Sequence, residues 1–229
     1  MLRKLGLSAF LTALILVACG RQVTPDRAAG CGSGAQAGHM IIRFRTSSVM
    51  DFKNVLYTIV FNTSGNGQEP YANGYSTGYS NYNFIMVVDG TTGTVQARLF
   101  QILVVGGQAS KVQVTNFPPN QLVFNPNSNG QNTEFSIDFV RTILYGQTSP
   151  APPTTAPAQN TWLINFITTD TNYSPLDTLG PNGKNDTSFQ NPIDVTACRL
   201  GPPVQVPVGA PLSGVPAANI SGGDFLNSP

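Results

Sequence analysis

Short runs in which apolar and polar residues alternate recur from residue 39 to residue 198, and a period of two restricts the chain to strands. Met40, Ile42 and Phe44 share one face of the first run. In VLYTIVFN the same holds for Val55, Tyr57, Ile59 and Phe61. In TEFSIDFVR, Phe135, Ile137 and Phe139 point one way while Glu134, Ser136 and Asp138 point the other. Further strand candidates are NFIMVVD (83–89), TVQARLFQILVV (94–105), KVQVTNF (111–117), QLVFN (121–125), TEFSIDFVRTILY (133–145) and TWLINFITT (161–169), with a weaker IDVTAC (193–198). No window between them sustains an i, i+3, i+4 pattern with caps, so helix should be short or absent. Turn formers separate the runs: Asp89-Gly90, Gly106-Gly107, Pro118-Pro119-Asn120, Asn129-Gly130 and Asn182-Gly183. Eight or nine short strands at this spacing predict an all-β fold, a two-sheet antiparallel sandwich of which the jelly roll is one form, with long Gly/Pro-rich loops.

Composition narrows the function classes. Charged residues make up 10% of the 229 positions, and Gly 23 with Pro 18 supply the turns. The formal net charge is +1. Two of the twelve basic residues, Arg3 and Lys4, lie in the leader described next, so the remaining ten face eleven acidic residues. Such a balance leaves no concentrated basic surface, which argues against a nucleic-acid partner held by its phosphates. One histidine and three cysteines leave most metal and acid/base chemistries without residues, and no cofactor is implied.

Residues 1–19 read MLRKLGLSAFLTALILVAC, with a basic start at Arg3 and Lys4 and an apolar stretch from Leu5 to Val17. This is the pattern of a secretory signal peptide and is short for a transmembrane helix. Leu16-Val17-Ala18-Cys19 resembles the lipobox of bacterial lipoproteins. The resemblance covers these residues alone. It implies removal of residues 1–18, diacylglyceryl modification of the Cys19 sulfur, and a membrane anchor of several acyl chains. Gly20 follows the cysteine where inner-membrane lipoproteins of enterobacteria commonly carry aspartate, so in a Gram-negative cell the outer membrane is the expected site. Residues 19–38 then form a lipidated Gly/Ala-rich tether, 39–198 the sandwich, and 199–229 a Pro/Gly-rich tail expected to be extended or disordered. SPAPPTTAPAQ (149–159) reads as an extended surface loop. With Cys19 acylated, Cys31 and Cys198 are the remaining thiols of an oxidising compartment and are expected to pair, the alternative being two separate thiols.

Three segments bear on function. Tyr71, Tyr75, Tyr79 and Tyr82 are four of the seven tyrosines and fall within SGNGQEPYANGYSTGYSNYN (64–83), among Gly, Asn and Ser. Stiff amphipathic rings on an adaptable loop suit stacking on sugar faces. The competing reading has the same rings folding back to cover the sandwich. Residues 170–194 gather Asp170, Asp177, Asn182, Asn185, Asp186 and Asp194, oxygen donors that could ligate calcium, although Lys184 interrupts them and Asx residues are also ordinary turn formers. For catalysis, His39 is the only imidazole and lies at the start of the first strand. Gly-X-Ser-X-Gly and phosphate-loop motifs are missing, and a carboxylate pair drawn from Glu69, Glu134, Asp138 and Asp170 is left open. Trp162 is expected in the core. These features favour a non-enzymatic, lipid-anchored envelope protein whose sandwich is a binding module for a ligand or partner, carbohydrate being the candidate ligand for the Tyr-rich loop. A structural lipoprotein contacting another envelope protein is the alternative, and a carboxylate-pair hydrolase is third.

Overall fold

In a computed structural model, residues 35–63, 82–105, 108–145, 159–187, 189, 191–198 and 204–229 are described. The leader, Cys19, Cys31, Glu69, Tyr71, Tyr75, Tyr79 and most of the 149–159 insertion lie outside these residues. The described residues form two antiparallel sheets packed face to face, a β-sandwich, with no α-helix among them. The strands are β1 (His39–Thr46), β2 (Val55–Asn62), β3 (Phe84–Asp89), β4 (Gln96–Val105), β5 (Gln108–Phe117), β6 (Leu122–Pro126), β7 (Asn132–Val140), β8 (Thr161–Asp170), β9 (Pro175–Thr178), β10 (Asn191–Asp194), β11 (Val204–Gln205) and β12 (Ile220–Asn227). The smaller sheet runs β11-β12-β1-β7-β6. The larger runs β10-β8-β2-β3-β4-β5, with β9 also on β8.

Alternation sets which side chains enter the core. β1 buries Met40, Ile42, Phe44 and Thr46 and turns His39, Ile41, Arg43 and Arg45 outward. β7 does the same with Phe135, Ile137 and Phe139, as its sequence pattern predicts. Between the sheets, Phe44 stacks on Phe135 at 5.3 Å and on Phe166 at 4.8 Å and meets Tyr57 edge-on at 5.7 Å, so one β1 ring joins β7 to β8 and β2. Trp162 is fully buried and meets Tyr145 edge-on. The larger sheet departs from simple alternation, because every residue of β2 and β3 is buried. Its outer face carries a second apolar cluster of Leu56, Val60, Tyr82, Ile85, Val87, Ile102 and Ile167. In VLYTIVFN the positions between the inward Val55, Tyr57, Ile59 and Phe61 include Leu56 and Val60, as suits a strand covered on both faces.

Three differences from the sequence reading have physical causes. The tail is not a disordered appendage, since β12 lies between β11 and β1 and pairs with β1 from Met40↔Asn227 to Thr46↔Ile220. Its entry is fastened by side chains: the buried Asp177 carboxylate accepts the Ile220 N–H at 2.7 Å, the Tyr57 hydroxyl donates to Ala217 O at 3.0 Å, and Thr168 donates to Ala218 O at 2.7 Å. Burial pushes the Asp177 carboxyl above its ordinary pKa, against the pull of the Ile220 and Thr178 N–H groups, and burial also raises Tyr57. Second, β7 stops at Val140 and a single 3-10 turn, Arg141–Leu144, follows. There the Arg141 N–H donates to Gly38 O and the side chain turns inward to Tyr145 Oη (2.9 Å), Asn227 Oδ1 (2.9 Å) and the Val195 carbonyl. Third, β9 and β11 are too short for any periodic signal to register.

Sheet edges are open templates for strand addition. Here they are blunted: β11 has two residues, β6 ends in Pro126, and β5 carries Lys111 and a register shift opposite Leu99/Phe100.

Candidate functional site

The outward residues of β1 and β7 meet on the exposed face of the smaller sheet. Register places Arg45 opposite Glu134 and Arg43 opposite Ser136 on one side, and Arg43 opposite Asp224 of β12 on the other. The result is a row of ion pairs. Arg45 is bound by both Glu134 and Asp224, and Asn125 Nδ2 donates to the other Glu134 oxygen at 2.8 Å. Burial alone would lower the Arg45 pKa, but hydrogen bonds and charge from Asp224 and Glu134 outweigh it and hold the guanidinium above its usual value. Arg43 reaches the same Asp224 only at 3.4 Å, with 37% of its side chain exposed, so Arg45 takes the larger share of that carboxylate. At the strand's start His39 Nδ1 and Asp138 Oδ1 are 2.8 Å apart.

Beside this row lies a groove of about 400 Å³. His39, Arg43, Gln121, Ser136 and Asp138 line it with hydrogen-bonding groups, Ile41 and Val123 supply apolar surface, and Gln36, just before β1, also lines it. Of the lining residues, His39 and Asp138 are held by their mutual contact at 2.8 Å, while Arg43 reaches Asp224 at 3.4 Å and keeps its outer part open to the groove.

The sequence-predicted site residues distribute as follows. His39, Glu134 and Asp138 come together on this face. Glu134 and Asp138 are four strand residues apart, about 13 Å at the usual rise, beyond the ~9.5 Å that spans a glycosidase carboxylate pair. Asp170 ends β8 in the other sheet. Ser136 is opposite Arg43 whereas His39 is opposite Val140, so the Asp138-oriented imidazole has no Ser136 hydroxyl in reach.

Tyr82 is corrected as a ligand contact. It is 1% exposed, packs in the second apolar cluster and donates its hydroxyl to Thr187 O at 3.1 Å, because the outer face of the larger sheet is apolar and takes the ring.

The carboxylates of 170–194 accept hydrogen bonds from backbone N–H groups, most of them nearby in the chain. Asp170 accepts from Asn172 and Ser174 N–H, Asp177 from Thr178 and Ile220, Asp186 from Asn182, and Asp194 from Thr196. The Thr196 hydroxyl and N–H hold Asp194 below the usual carboxylate range. Among the described residues no group of three or more His, Cys, Asp or Glu could hold a metal ion.

Arg43, Gln121 and Asp224 were not singled out from the sequence. The alternation of β1 carries the signal for Arg43, which shares a face with His39 and Arg45. Asp224 lies in a segment with no alternation to read. Comparison with known proteins returns no match among family models, curated proteins or solved structures, so the chemistry of the groove rests on its own residues.

Proposed function

We propose that the protein is a non-enzymatic, lipid-anchored component of the bacterial envelope whose sandwich binds a hydroxylated polymer, a carbohydrate, in the groove over β1, β7 and β6. The observation that carries this reading is a groove lined together by imidazole, guanidinium, amide and hydroxyl groups and by the apolar Ile41 and Val123, the mixture that sugar hydroxyls and C–H faces require. The lipobox resemblance of residues 1–19 supports the anchor, and Gln36, in the expected tether, is among the residues lining the groove. Tyr71, Tyr75 and Tyr79 belong to the proposal as a second contact, whereas Tyr82 does not. The blunted edges give less support to assembly by strand addition.

The test is binding of the mature chain in detergent to a panel of envelope and plant polysaccharides by calorimetry. Removing the Arg43 side chain takes away charge-assisted hydrogen bonds worth roughly 1.5–3 kcal/mol, so Arg43→Ala is expected to weaken binding about ten- to hundredfold. A Tyr75→Ala/Tyr79→Ala variant measures the loop's share. Equal affinity of the Arg43 variant and the unaltered chain would move the site off the groove.

We further propose the Cys31–Cys198 disulfide. Its support is local: Asn227 donates to the Val195 and Ala197 carbonyls at 2.9 Å each, while Asn227 also pairs with Met40, so the segment before Cys198 lies beside the strand that the tether enters. Closing so long a loop contributes on the order of 4 to 5 kcal/mol in the chain-entropy model. Peptide mapping of the exported protein without reductant is expected to return one linked peptide. Recovery of both cysteines alkylated would refute the pairing.

A further inference from the structure

Strand register divides the groove into two rows that run across the sheet. Arg43 of β1 stands opposite Ser136 of β7, which stands opposite Val123 of β6. Two residues along, about 6.8 Å at the usual rise, Ile41 stands opposite Asp138, whose N–H donates to the Gln121 carbonyl at 3.2 Å. All six residues line the groove. Its guanidinium and its carboxylate therefore lie in different rows, and the carboxylate is in contact with His39 at 2.8 Å.

Arg43 is only partly used by the protein. Its side-chain hydrogen bonding among the described residues is one long contact, Nη1 to Asp224 Oδ2 at 3.4 Å, and 37% of the side chain is exposed. Asp224 is shared with Arg45, which binds the same oxygen. The Nε–Nη2 edge of Arg43 thus has no partner among the described residues. Two parallel donors on such an edge match the two oxygens of a carboxylate, a fit that a single hydroxyl cannot give. The Ser136 hydroxyl, directly across from Arg43, also has no hydrogen-bond partner among the described residues.

We propose that the groove selects a saccharide carrying a carboxylate, a uronate unit, with the acid on the Nε–Nη2 edge of Arg43 beside the Ser136 hydroxyl and the ring hydroxyls over the row of Asp138 and Gln121. This rests on the carbohydrate reading of the groove and gives it a ligand class. Two carboxylates face the incoming acid. Asp224 is buried and bound by Arg45, and Asp138 lies one row away beside His39. Their placement orients the ligand: the acid is repelled from the Asp138 row and held in the row of Arg43, Ser136 and Val123, whose lining residues include no carboxylate.

The experiment is calorimetry of the mature chain in detergent with polygalacturonate and with the same polymer methyl-esterified, which removes the charge and keeps the backbone. The acid form should bind about tenfold more tightly, and added salt should narrow the gap. Arg43→Ala should bring the two forms to similar affinities. Arg43→Lys, which keeps a charge for Asp224 but not the two-donor edge, should lose most of the preference as well. Lys184→Ala, which removes an exposed cation between β9 and β10, should leave the preference unchanged. Arg43→Ala should melt with the unaltered chain, because Arg45 still holds Asp224. Equal affinity of the unaltered chain for the two forms, with both weakened by Arg43→Ala, would overturn the uronate class and leave the groove as a site for neutral saccharide. A preference for the acid form that survives in both Arg43 variants would put the acid elsewhere and overturn the proposal. Binding of neither form, with a neutral polysaccharide of the panel still bound through Arg43, would overturn it and spare the groove. Binding of no polysaccharide at all would overturn both.

Discussion

A chain that ends at Val215 is expected to have no cooperative thermal transition and to be degraded rapidly by trypsin under conditions where the full chain survives. Truncation removes β12 from between β11 and β1, so β1 loses one of its two neighbours along the register from Met40 to Thr46. It also removes Ala218, Ile220, Phe225 and Leu226, all buried, at roughly 1.5–3 kcal/mol for each large side chain. Asp177, Tyr57, Thr168 and Arg141 are then left with buried polar groups facing the gap. Their desolvation costs add to the loss, and the sum approaches or exceeds the ~5–15 kcal/mol that holds an ordinary domain together. Circular dichroism on heating decides it. A truncated chain that melted as sharply as the full one would show β12 to be dispensable.

The second large effect is expected from one methyl group. Gly223 sits on the inward side of β12, paired with Phe44, and a Cβ there would overlap both the Phe166 ring and the Arg43 carbonyl oxygen. The carbonyl belongs to the paired strand and cannot rotate away. The ring is wedged between Phe44 at 4.8 Å and Phe225 at 5.2 Å. Overpacking of a closed core commonly costs ~1–3 kcal/mol, and with backbone as one of the obstacles Gly223→Ala should cost about 3 kcal/mol or more. Gly214→Ala is the control: a Cβ there has nothing within 4 Å, so its urea midpoint should match the parent. Similar midpoints for the two variants would mean that the sheets separate easily at Phe166.

The same glycine explains what was legible. β1, β2, β3, β7 and β8 announce themselves because their inward positions are filled by large apolar side chains at every second residue. β12 reads ISGGDFLN, and its inward position 223 is empty so that a ring from the facing sheet can approach the backbone. The packing that makes β12 central thus erases the alternation that would reveal it. Tyr82 fails for a related reason. Glycine and asparagine around a tyrosine describe a loop, but only the neighbouring strands show that the face beneath is apolar. On the sheet face that carries the groove, His39, Glu134 and Asp138 are legible as outward residues of two strands. That Arg45 holds Glu134 and Asp224 together depends on which strands are neighbours, which no local pattern encodes.

Pairing the first strand with the last has a temporal consequence. β2 to β5 follow one another as adjacent strands and can zip up from short loops as they emerge. β1 emerges before any of them, yet one of its two neighbours is the final strand of the chain. Long-range closures of this kind are slow because loop entropy is spent before contacts reward it. Until β12 is made, the edge of β1 that it will cover therefore stays open. The smaller sheet is complete only when β12 takes its place between β11 and β1.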